Sequence, residues 1–374
     1  MLDPQFDGVY AGRKVLITGH TGFKGSWLSL WLQALGAKVI GYSLPPPTQP
    51  SNYELTRLEE KITSVTGDVR DADLLMKVVA EQKPEIVFHL AAQPLVREGY
   101  EDPRLTYETN IMGLVNLFEA VRASNSVRAL LVVTSDKCYE NKEWVWGYRE
   151  SDELGGHDPY SSSKACAEVI AAAYRRSFFA AGTRKVPISS ARAGNVIGGG
   201  DWAKDRIVPD CVRALAMGKK IRIRNPFAVR PWQHVLEPLS GYLWLASNLI
   251  LQGEEYAGAW NFGPKNGHGM AVEGLVRSLV EIWGAGRGYE CVRPEKDFHE
   301  SNYLQLDCSK ACRKLGWWPV LDVDEAVRWT VDWYKRHYIE NEHAYDLCME
   351  NILAYSELAG ERSLKWASCQ PVQV

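Results

Sequence analysis

The sequence has no apolar run of about 18 residues, the length that a helix needs to cross a membrane. Its first residues, MLDPQFDGVYAGRK, also lack the apolar core of a secretory signal peptide. Neither sign of charge is in excess, because 43 basic and 46 acidic residues leave a net charge of −3. No basic stripe of the kind that follows a phosphate backbone is present. We therefore expect neither a membrane nor a nucleic acid as a partner.

Cysteine occurs eight times, but in no pattern that would bind a metal. There is no CxxC pair, and although Cys308 and Cys312 are spaced to share a helix face, no second pair of ligands completes a zinc site. Scattered cysteines of this kind are typical of small buried side chains in the reducing cytoplasm. We therefore predict no metal centre and a cytoplasmic location.

Short apolar runs alternate with longer helical patterns through the first half of the chain. The runs predict strands at residues 14–18, 38–43, 62–66, 86–90, 129–135 and 188–192. Helical periodicity lies between them, at residues 26–35, 71–81, 106–123 and 162–179. This rhythm gives right-handed crossovers and a parallel sheet with helices on both faces. The predicted fold class is therefore α/β, a doubly wound parallel (Rossmann) sheet.

The stretch TGHTGFKG, residues 18–25, joins the first predicted strand to the first predicted helix. Its glycines let the backbone approach a diphosphate, and the helix N-terminus supplies N–H donors. The pattern predicts a dinucleotide site, in which His20 and Lys24 are unusual and could reposition the phosphates. The residues of the predicted loop site are Gly19, Gly22, Phe23 and Gly25.

The end of the second predicted strand bears on which dinucleotide would bind. It reads GYSL at residues 41–44, without the carboxylate that usually holds the ribose hydroxyls of NAD. It also lacks an arginine or lysine for the 2′-phosphate of NADP. Ser43 is left as a weak ribose ligand, and Asp68, after the third strand, is placed to reach the adenine. We favour NAD, bound loosely.

The second half of the chain is less regular. After the glycine run 198–200 the spacing loosens and prolines recur, while helical patterns return at residues 236–251, 272–283 and 323–337. We predict an NAD-binding domain at residues 1–197 and a smaller C-terminal α/β substrate-binding lobe at 198–362. Residues 363–374 are predicted to form a flexible tail.

Two polar groupings predict proton transfer. Tyr160 and Lys164 lie one helical turn apart, and an ammonium beside a phenol lowers the pKa of the phenol, which makes it a usable base. Ser135, Asp136 and Lys137 lie at the end of the fifth predicted strand. A strand end needs only a turn, whereas acid–base groups concentrate at cleft positions of this kind. We therefore predict a catalytic site at residues 135–137, facing Tyr160 and Lys164.

Together these motifs resemble the extended short-chain dehydrogenase/reductase family. The resemblance covers nearly the whole chain and rests on TGHTGFKG (18–25), GDVRD (67–71), HLAAQ (89–93), TN (109–110) and YSSSK (160–164). It implies a nucleotide-sugar substrate, NAD as cofactor, and Tyr160 with Lys164 as the catalytic pair. It also implies further cofactor contacts from Ser43, Asp68, Val69, Leu90, Ala91, Ala92, Thr109, Tyr160 and Lys164.

Within the family, residues 135–137 indicate the branch. The resemblance implies that sugar epimerases have a hydroxyl here without an adjacent acid–base pair, whereas 4,6-dehydratases have a hydroxyl, then Asp, then usually Glu. Lys137 in place of glutamate, with GHTGFKGSWL (19–28) and NVIGGGDW (195–202), resembles the dehydratases that act on CDP-glucose. In that reaction Asp136 is the acid for the 6-hydroxyl. Lys137 is either the C5 base, which requires a lowered pKa, or a charged group that stabilises the enolate.

The resemblance also implies substrate contacts and an assembly. Its predicted substrate ligands are Asn195, Arg206, Arg230, Asn261 and Tyr303. The helices at 106–123 and 162–179 are those that the family packs into a four-helix interface, so we expect a homodimer or homotetramer. Two alternatives remain open: an epimerase or dehydratase for another nucleotide sugar, and a non-catalytic NAD-binding scaffold.

Overall fold

A seven-stranded parallel sheet forms the centre of the computed structural model, which describes residues 5–181, 185–265, 269–284, 288–292 and 303–367. The strands are β1 (Lys14–Thr18), β2 (Lys38–Ser43), β3 (Thr63–Thr66), β4 (Ile86–His89), β5 (Ala129–Val133), β6 (Ile188–Ala193), β7 (Val196–Ile197), β8 (Ile221–Ile223), β9 (Val229–Arg230), β10 (Gln233–His234), β11 (Gly258–Phe262), β12 (Met270–Ala271) and β13 (Tyr289–Cys291). The large sheet has the order β3-β2-β1-β4-β5-β6-β11. The other six strands form three pairs, β7–β10, β9–β12 and β8–β13.

Helices cover both faces of this sheet. The α-helices are α1 (Phe23–Ala34), α2 (Asn52–Leu55), α3 (Ala72–Gln82), α4 (Val96–Glu101), α5 (Pro103–Tyr107), α6 (Gly113–Ala123), α7 (Pro159–Tyr174), α8 (Ile207–Ala216), α9 (Leu236–Gln252), α10 (Val272–Trp283), α11 (Val323–Tyr338) and α12 (Ala344–Glu361). Single π-helical turns follow α5 at Glu108–Met112 and α7 at Arg175–Phe179. Periodicity predicts one continuous helix in each place: the first π-helical turn interrupts the segment 106–123, and the second ends the segment 162–179. No helix in the described part of the chain is both long and apolar enough to cross a membrane.

The strands are buried because both of their faces are apolar. Along β5, Leu131 and Val133 belong to one hydrophobic core, while Leu130 and Val132 belong to a second core on the opposite face. Alternation of this kind places two cores on the two sides of one sheet, as expected for a parallel sheet between helix layers. The predicted doubly wound α/β fold is confirmed, and the six predicted strands occur within two residues of their expected bounds.

The strand order positions the site. β1 pairs with β2 on one side and with β4 on the other, so the direction of strand succession reverses at β1. In sheets of this kind ligands bind in the crevice beyond the carboxyl ends of the strands at such a reversal. The loop after β1, the segment after β4 and the strip after β5 all lie at this edge.

Two features concern the predicted domain division. β11 returns from the C-terminal half to pair with β6, so residues 258–262 belong to the large sheet although the boundary was predicted at 197.

Trp366 is fully buried and its ring stacks on Phe6, with centroids 5.1 Å apart. The predicted flexible tail is therefore wrong for residues 363–367, which pack against the core. Residues 368–374 lie outside the described part of the chain.

Candidate active site

A cleft of about 710 Å³ opens at the carboxyl ends of β5 and β6. One wall is the edge of the large sheet with α7, and the other is built from residues 195–232. The cleft brings together both the predicted catalytic strip and part of the predicted substrate site. The predicted residues that line it are Phe23, Ser135, Asp136, Lys137, Tyr160, Asn195, Arg206 and Arg230.

The strip after β5 is a short 3-10 turn that begins at Ser135. The Ser135 hydroxyl accepts a hydrogen bond from the backbone N–H of Lys137 over 3.2 Å and donates one to Oδ1 of Asp136 over 3.0 Å. Asp136 is only 3% exposed, and its Oδ2 is buried without a hydrogen-bond partner in the described part of the chain. A Cβ at Gly194 would lie 1.8 Å from this oxygen, so only glycine leaves room for it. The geometry therefore presents a carboxyl group to the cleft with one oxygen uncommitted.

Tyr160 and Lys164 lie in the first turns of α7. Asp158 caps this helix by accepting a hydrogen bond from the Ser161 N–H over 2.9 Å. Burial raises the pKa of Tyr160 to about 12, and a hydrogen bond with Ser135 opposes part of that rise. Burial also lowers the pKa of Lys164 to about 8, and its ammonium donates to the Val133 carbonyl over 3.4 Å. The lowered Tyr160 pKa that the sequence predicts is therefore not found, because desolvation of the phenol dominates.

The loop after β1 has the features of a diphosphate site. Gly19 has φ +77°, and a Cβ there would lie 2.7 Å from the backbone nitrogen of Ala91. α1 begins after Gly22 without a side-chain cap. Within the described part of the chain no group accepts a hydrogen bond from the N–H of Phe23, Lys24 or Gly25. Three uncommitted N–H groups at a helix N-terminus are suited to a diphosphate.

Most of the other predicted cofactor contacts lie at the end of β2, on the loops after β3 and β4, and in the first π-helical turn. The Ser43 hydroxyl hydrogen-bonds that of Thr21 over 2.8 Å, and Asp68 forms an ion pair of 2.6 Å with Arg70. Val69 is buried against Gly113, Leu90, Ala91 and Ala92 follow β4, and Thr109 lies in the first π-helical turn.

His20 does not face the phosphates, contrary to expectation. Its ring is fully buried beside Gly41, its Nε2 lies 2.8 Å from the Ser64 hydroxyl, and burial lowers its pKa to about 4. The imidazole is therefore neutral and belongs to the packing beneath β2 and β3. Lys24 instead reaches the cleft, where burial and the charges of Arg206 and Lys164 lower its pKa to about 8.

Asn110 is a positioning residue that the sequence indicates only through the TN pair. Its Oδ1 accepts from the Gln93 N–H over 2.8 Å, and its Nδ2 donates to the Ser163 hydroxyl over 2.9 Å. The side chain thus fixes the segment after β4 against α7.

Three of the predicted substrate ligands, Asn195, Arg206 and Arg230, line the cleft. Asn195 has a left-handed backbone, with φ +43°. Arg206 precedes α8 and donates to Asp201 over 2.9 Å, while Arg230 donates to the Val229 carbonyl over 3.0 Å. Tyr303 pairs through its backbone with Val229 and so lies beside the strand that carries Arg230.

Asn261, which is predicted to contact the substrate, is not among the residues that line the cleft. Its side chain is fully buried, its Oδ1 accepts from the Tyr139 hydroxyl over 2.7 Å, and its Nδ2 donates to the carbonyls of Tyr148 and Asp307 over 2.8 Å and 3.1 Å. Both ends of the amide are thus committed to a structural network that joins β11 to the loops behind the cleft.

Sequence reasoning missed a basic strand at the mouth of the cleft. All five residues of KIRIR, 220–224, line the cleft: Ile221 and Ile223 are buried, and Lys220, Arg222 and Arg224 add positive charge. The period-two alternation of isoleucine with basic residues is the signal that could have identified it. Excess positive charge at this end suits a substrate with a diphosphate group.

Comparison with known proteins agrees with this geometry. The chain is 51% identical to the CDP-glucose 4,6-dehydratase of Salmonella typhimurium over 338 residues, which cover 90% of this chain and 93% of that protein. It is 28% identical to the dTDP-glucose 4,6-dehydratase of Streptomyces antibioticus over 280 residues, 73% of this chain and 76% of the other.

Solved structures show the same fold. The dTDP-glucose 4,6-dehydratase of Bacillus anthracis, determined in complex with NAD, superposes with a TM-score of 0.72 at 24% identity, covering 87% of this chain and 97% of that one. The UDP-glucose 4-epimerase of Thermotoga maritima, determined with UDP-glucose, gives a TM-score of 0.74 at 23% identity, covering 86% and 99%.

The family model of the GDP-mannose 4,6 dehydratases matches residues 16–330. This range includes the dinucleotide loop, the strip after β5, the Tyr160–Lys164 turn and the basic end of the cleft. The resemblance to the extended short-chain dehydrogenase/reductases is confirmed, and the chain belongs to the GDP-mannose 4,6 dehydratase family.

Proposed function

We propose that the protein is an NAD-dependent 4,6-dehydratase that converts CDP-D-glucose into CDP-4-keto-6-deoxy-D-glucose and water, a step of deoxysugar biosynthesis. The observation that carries the proposal is the uncommitted carboxylate oxygen of Asp136, in the same cleft as Ser135 and Tyr160. Elimination of water needs an acid beyond the Tyr–Lys pair, whereas epimerisation at C4 does not. The identity of 51% to the Salmonella typhimurium enzyme supports CDP-glucose as the nucleotide sugar.

NAD fits the groove at the end of β1. The uncommitted N–H groups at the start of α1 would hold its diphosphate, and Ser43 with Asp68 would lie at the adenosine end. Further contacts would come from Val69, Leu90, Ala91, Ala92, Thr109, Tyr160 and Lys164. When bound, NAD accepts a hydride from C4 of the sugar and later returns it to C6, so the overall reaction is redox-neutral.

In the first step, Tyr160 removes the proton from the 4-hydroxyl of the sugar. Ser135, which lines the same cleft as Tyr160, orients the same oxygen. The pKa of about 12 for Tyr160 makes its phenolate scarce at neutral pH in the protein without ligands. Lys164, charged below its pKa of about 8, stabilises the phenolate as it forms.

In the second step, the 4-ketone acidifies the C5 proton and water leaves from C6. Asp136 acts as the acid and donates a proton to the 6-hydroxyl through the oxygen that has no hydrogen-bond partner in the described residues. Lys137, half-buried at the cleft, either takes the C5 proton or stabilises the enolate as an ammonium. The elimination thus uses the two residues beside Ser135.

Substrate binding is assigned to the basic end of the cleft. Arg206 and Arg230 would contact the diphosphate, because a guanidinium offers two parallel donors to such a group. Asn195 would contact the sugar side of the same group, and Tyr303 would lie near the base.

A substrate panel tests this function. CDP-, dTDP-, UDP- and GDP-glucose are each incubated with the protein and NAD, and loss of water is followed by mass spectrometry. We expect water loss chiefly from CDP-glucose. Water loss from a different nucleotide sugar would reassign the substrate, a C4 epimer would make the protein an epimerase, and no reaction with any of them would favour a binding role.

We further propose a homodimer formed through the segments 103–123 and 159–179. Large apolar side chains are exposed along them at Tyr107, Met112, Val169 and Phe178. Val169→Asp should shift the sedimentation coefficient to that of a monomer, whereas the same change at Leu353, exposed on α12, should not.

The seven described cysteines form no disulfide, which supports a cytoplasmic location.

A further inference from the structure

Behind the strip that carries Ser135, Asp136 and Lys137 lies a buried ion pair without contact to the cleft. Glu168 is on α7, one turn beyond Lys164, and Arg192 is on β6; each side chain is 3% exposed. Nη2 of Arg192 donates to Oε2 of Glu168 over 2.8 Å, and the Ser190 hydroxyl donates to the same oxygen over 2.6 Å. Neither residue is needed to explain the reaction as described above.

The ion pair forms hydrogen bonds with residues at both ends of the strip. At the start, the Thr134 hydroxyl donates to Oε1 of Glu168. At the end, Nη1 of Arg192 donates to the Tyr139 hydroxyl over 2.7 Å, and the guanidinium lies 4.9 Å from the centre of the Tyr139 ring. The Tyr139 hydroxyl in turn donates to Asn261 over 2.7 Å. The backbone between Thr134 and Tyr139 is therefore held at two points by a single charged pair.

Stability alone is a weak reason for such an arrangement. Burying two charges costs about as much as their attraction returns, and apolar replacements of such pairs are often neutral or stabilising. A pair that fixes the position of catalytic groups has a different benefit, because a displacement of about 1 Å at a reacting group can cost about 10²-fold in rate. The network holds the one segment in which three adjacent side chains must each reach a different atom of the sugar.

We infer that Glu168 and Arg192 are positioning residues for the dehydratase reaction: through Thr134 and Tyr139 they fix the strip 135–137, and through the charge of Glu168 they favour the ammonium form of Lys164. The inference rests on the proposed function for its kinetic part. The electrostatic part stands on the one-turn spacing between Lys164 and Glu168 and does not require catalysis.

The charged groups around Lys164 determine whether removal of Glu168 raises or lowers the pKa of Lys164. Burial lowers the pKa of Lys164, while the negative charge of Glu168 raises it; the nearby Cys138 thiol stays neutral because burial raises its own pKa. On the other elements, Lys24 in α1 has a repulsive interaction with Lys164, and His89 in β4 is neutral because burial lowers its pKa to about 3. Glu168 is therefore the principal anion that supports the ammonium, and its removal should lower the pKa of Lys164.

The kinetic test uses variants that each remove one of the two hydrogen bonds between the ion pair and the strip. Thr134→Val deletes the hydroxyl bonded to Glu168, and Tyr139→Phe deletes the hydroxyl bonded to Arg192. We expect each to lower kcat for CDP-glucose by about 10²-fold with KM changed only a few-fold. Thr134→Ser, which keeps the hydroxyl, should retain most of the wild-type kcat. The matched control is Tyr355→Phe, which removes a buried hydroxyl bonded to the carboxylate of Glu237 far from the strip.

The electrostatic test measures Lys164 directly. Acetic anhydride labels only the neutral amine, so the pH dependence of labelling, read by peptide mass spectrometry, gives the pKa of Lys164 without turnover. We expect a lower pKa for Lys164 in Glu168→Gln than in the wild type. Arg192→Lys keeps a positive partner for Glu168 but cannot donate in parallel to Tyr139, so it should show the kcat loss without a comparable shift of the Lys164 pKa.

Each of the following outcomes tests a different part of the inference. If Thr134→Val and Tyr139→Phe lose no more kcat than Tyr355→Phe at equal thermal stability, the strip is not positioned by this pair. If Glu168→Gln leaves the pKa of Lys164 unchanged or raises it, the electrostatic part is wrong. If the wild-type protein releases no water from CDP-glucose, the proposed function fails, and the labelling experiment still decides whether Glu168 sets the charge of Lys164.

Discussion

The hydroxyl of Ser135 donates to one oxygen of Asp136 over 3.0 Å, and the other oxygen of that carboxylate has no partner in the described part of the chain. The proposed acid of the elimination step is thus adjacent to the residue that is proposed to orient the 4-hydroxyl. Asp136→Asn should still oxidise C4, because Tyr160 and Ser135 are untouched. Water loss should slow by about 10²-fold or more, the usual size for losing a general acid. Single-turnover absorbance of the reduced nicotinamide should therefore rise and persist.

A better leaving group separates this explanation from a structural one. With fluorine at C6 of the sugar, expulsion needs little acid, so Asp136→Asn should recover most of its elimination rate. Lys137→Met removes the C5 base or the enolate stabiliser, and fluorine should not rescue it. If Asp136→Asn neither accumulates reduced cofactor nor responds to fluorine, Asp136 is not the acid at C6.

Tyr160→Phe should abolish oxidation at C4 while leaving CDP-glucose binding nearly unchanged. The phenol supplies the base for the 4-hydroxyl, and loss of a general base costs about 10²- to 10⁴-fold in rate. Pre-steady-state absorbance measures the oxidation, and calorimetric titration measures binding. Near-normal turnover of this variant would remove Tyr160 from the mechanism.

The buried ammonium of Lys164 predicts a pH-dependent stability. Its pKa falls from 10.5 in the unfolded chain to about 8 in the folded protein, so the fold binds fewer protons between these values. The cost of burying the charge is complete below pH 8 and disappears as the pH rises to 10.5. Lys164→Met should therefore be more stable than the wild type at neutral pH, by roughly 3 kcal/mol, with a gap that closes over this window.

Urea unfolding at several pH values measures that gap. Lys77→Met, on the exposed face of α3, is the control and should show no pH-dependent difference. A constant gap for Lys164→Met across the window would mean that its origin is packing rather than charge.

Weak retention of NAD is expected from the adenosine end of the groove. Ser43 bonds to Thr21, and no carboxylate from the end of β2 reaches the ribose position. Purified protein should therefore gain activity on addition of NAD, and Ser43→Asp should tighten NAD binding by about tenfold, the effect of one added charged hydrogen bond. Gel filtration followed by quantification of bound NAD tests both points. Stoichiometric NAD that remains bound to the wild-type protein after gel filtration would contradict weak retention.

Arg206→Ala should raise KM for CDP-glucose by about tenfold or more while kcat falls less, because the guanidinium is assigned to the diphosphate rather than to the reacting carbons. Arg57→Ala removes an exposed arginine paired with Glu60 and serves as the control. Unchanged KM in Arg206→Ala would place the diphosphate elsewhere in the cleft.

Much of the fold follows from local pattern. β1 and β2 were predicted to the residue, since both are apolar runs bounded by turn residues. The π-helical turns within the long helices were not predicted, because they are set by how each helix packs rather than by its periodicity. The return of β11 to the edge of the large sheet is likewise a non-local pairing that the sequence does not signal.

The residues of the site also differ in whether the sequence alone could assign them. Ser135, Asp136 and Tyr160 could be assigned because each follows a recognisable strand end or helix start, and the structure places them in one cleft. Asn261 was assigned by resemblance alone, and its contacts with Tyr139 and Tyr148 depend on tertiary packing. The directions of His20 and Lys24, four residues apart in one loop, also required the structure.

The stacking of Phe6 on Trp366 has a consequence for synthesis of the protein. Trp31 and Tyr355 share this aromatic cluster, so its members come from opposite ends of the sequence. On the ribosome the nascent N-terminal half can form its strands and the dinucleotide loop, but the cluster stays open until Trp366 has been translated. A nascent chain stalled before that point should expose Phe6 and Trp31 and bind chaperones that recognise apolar surface.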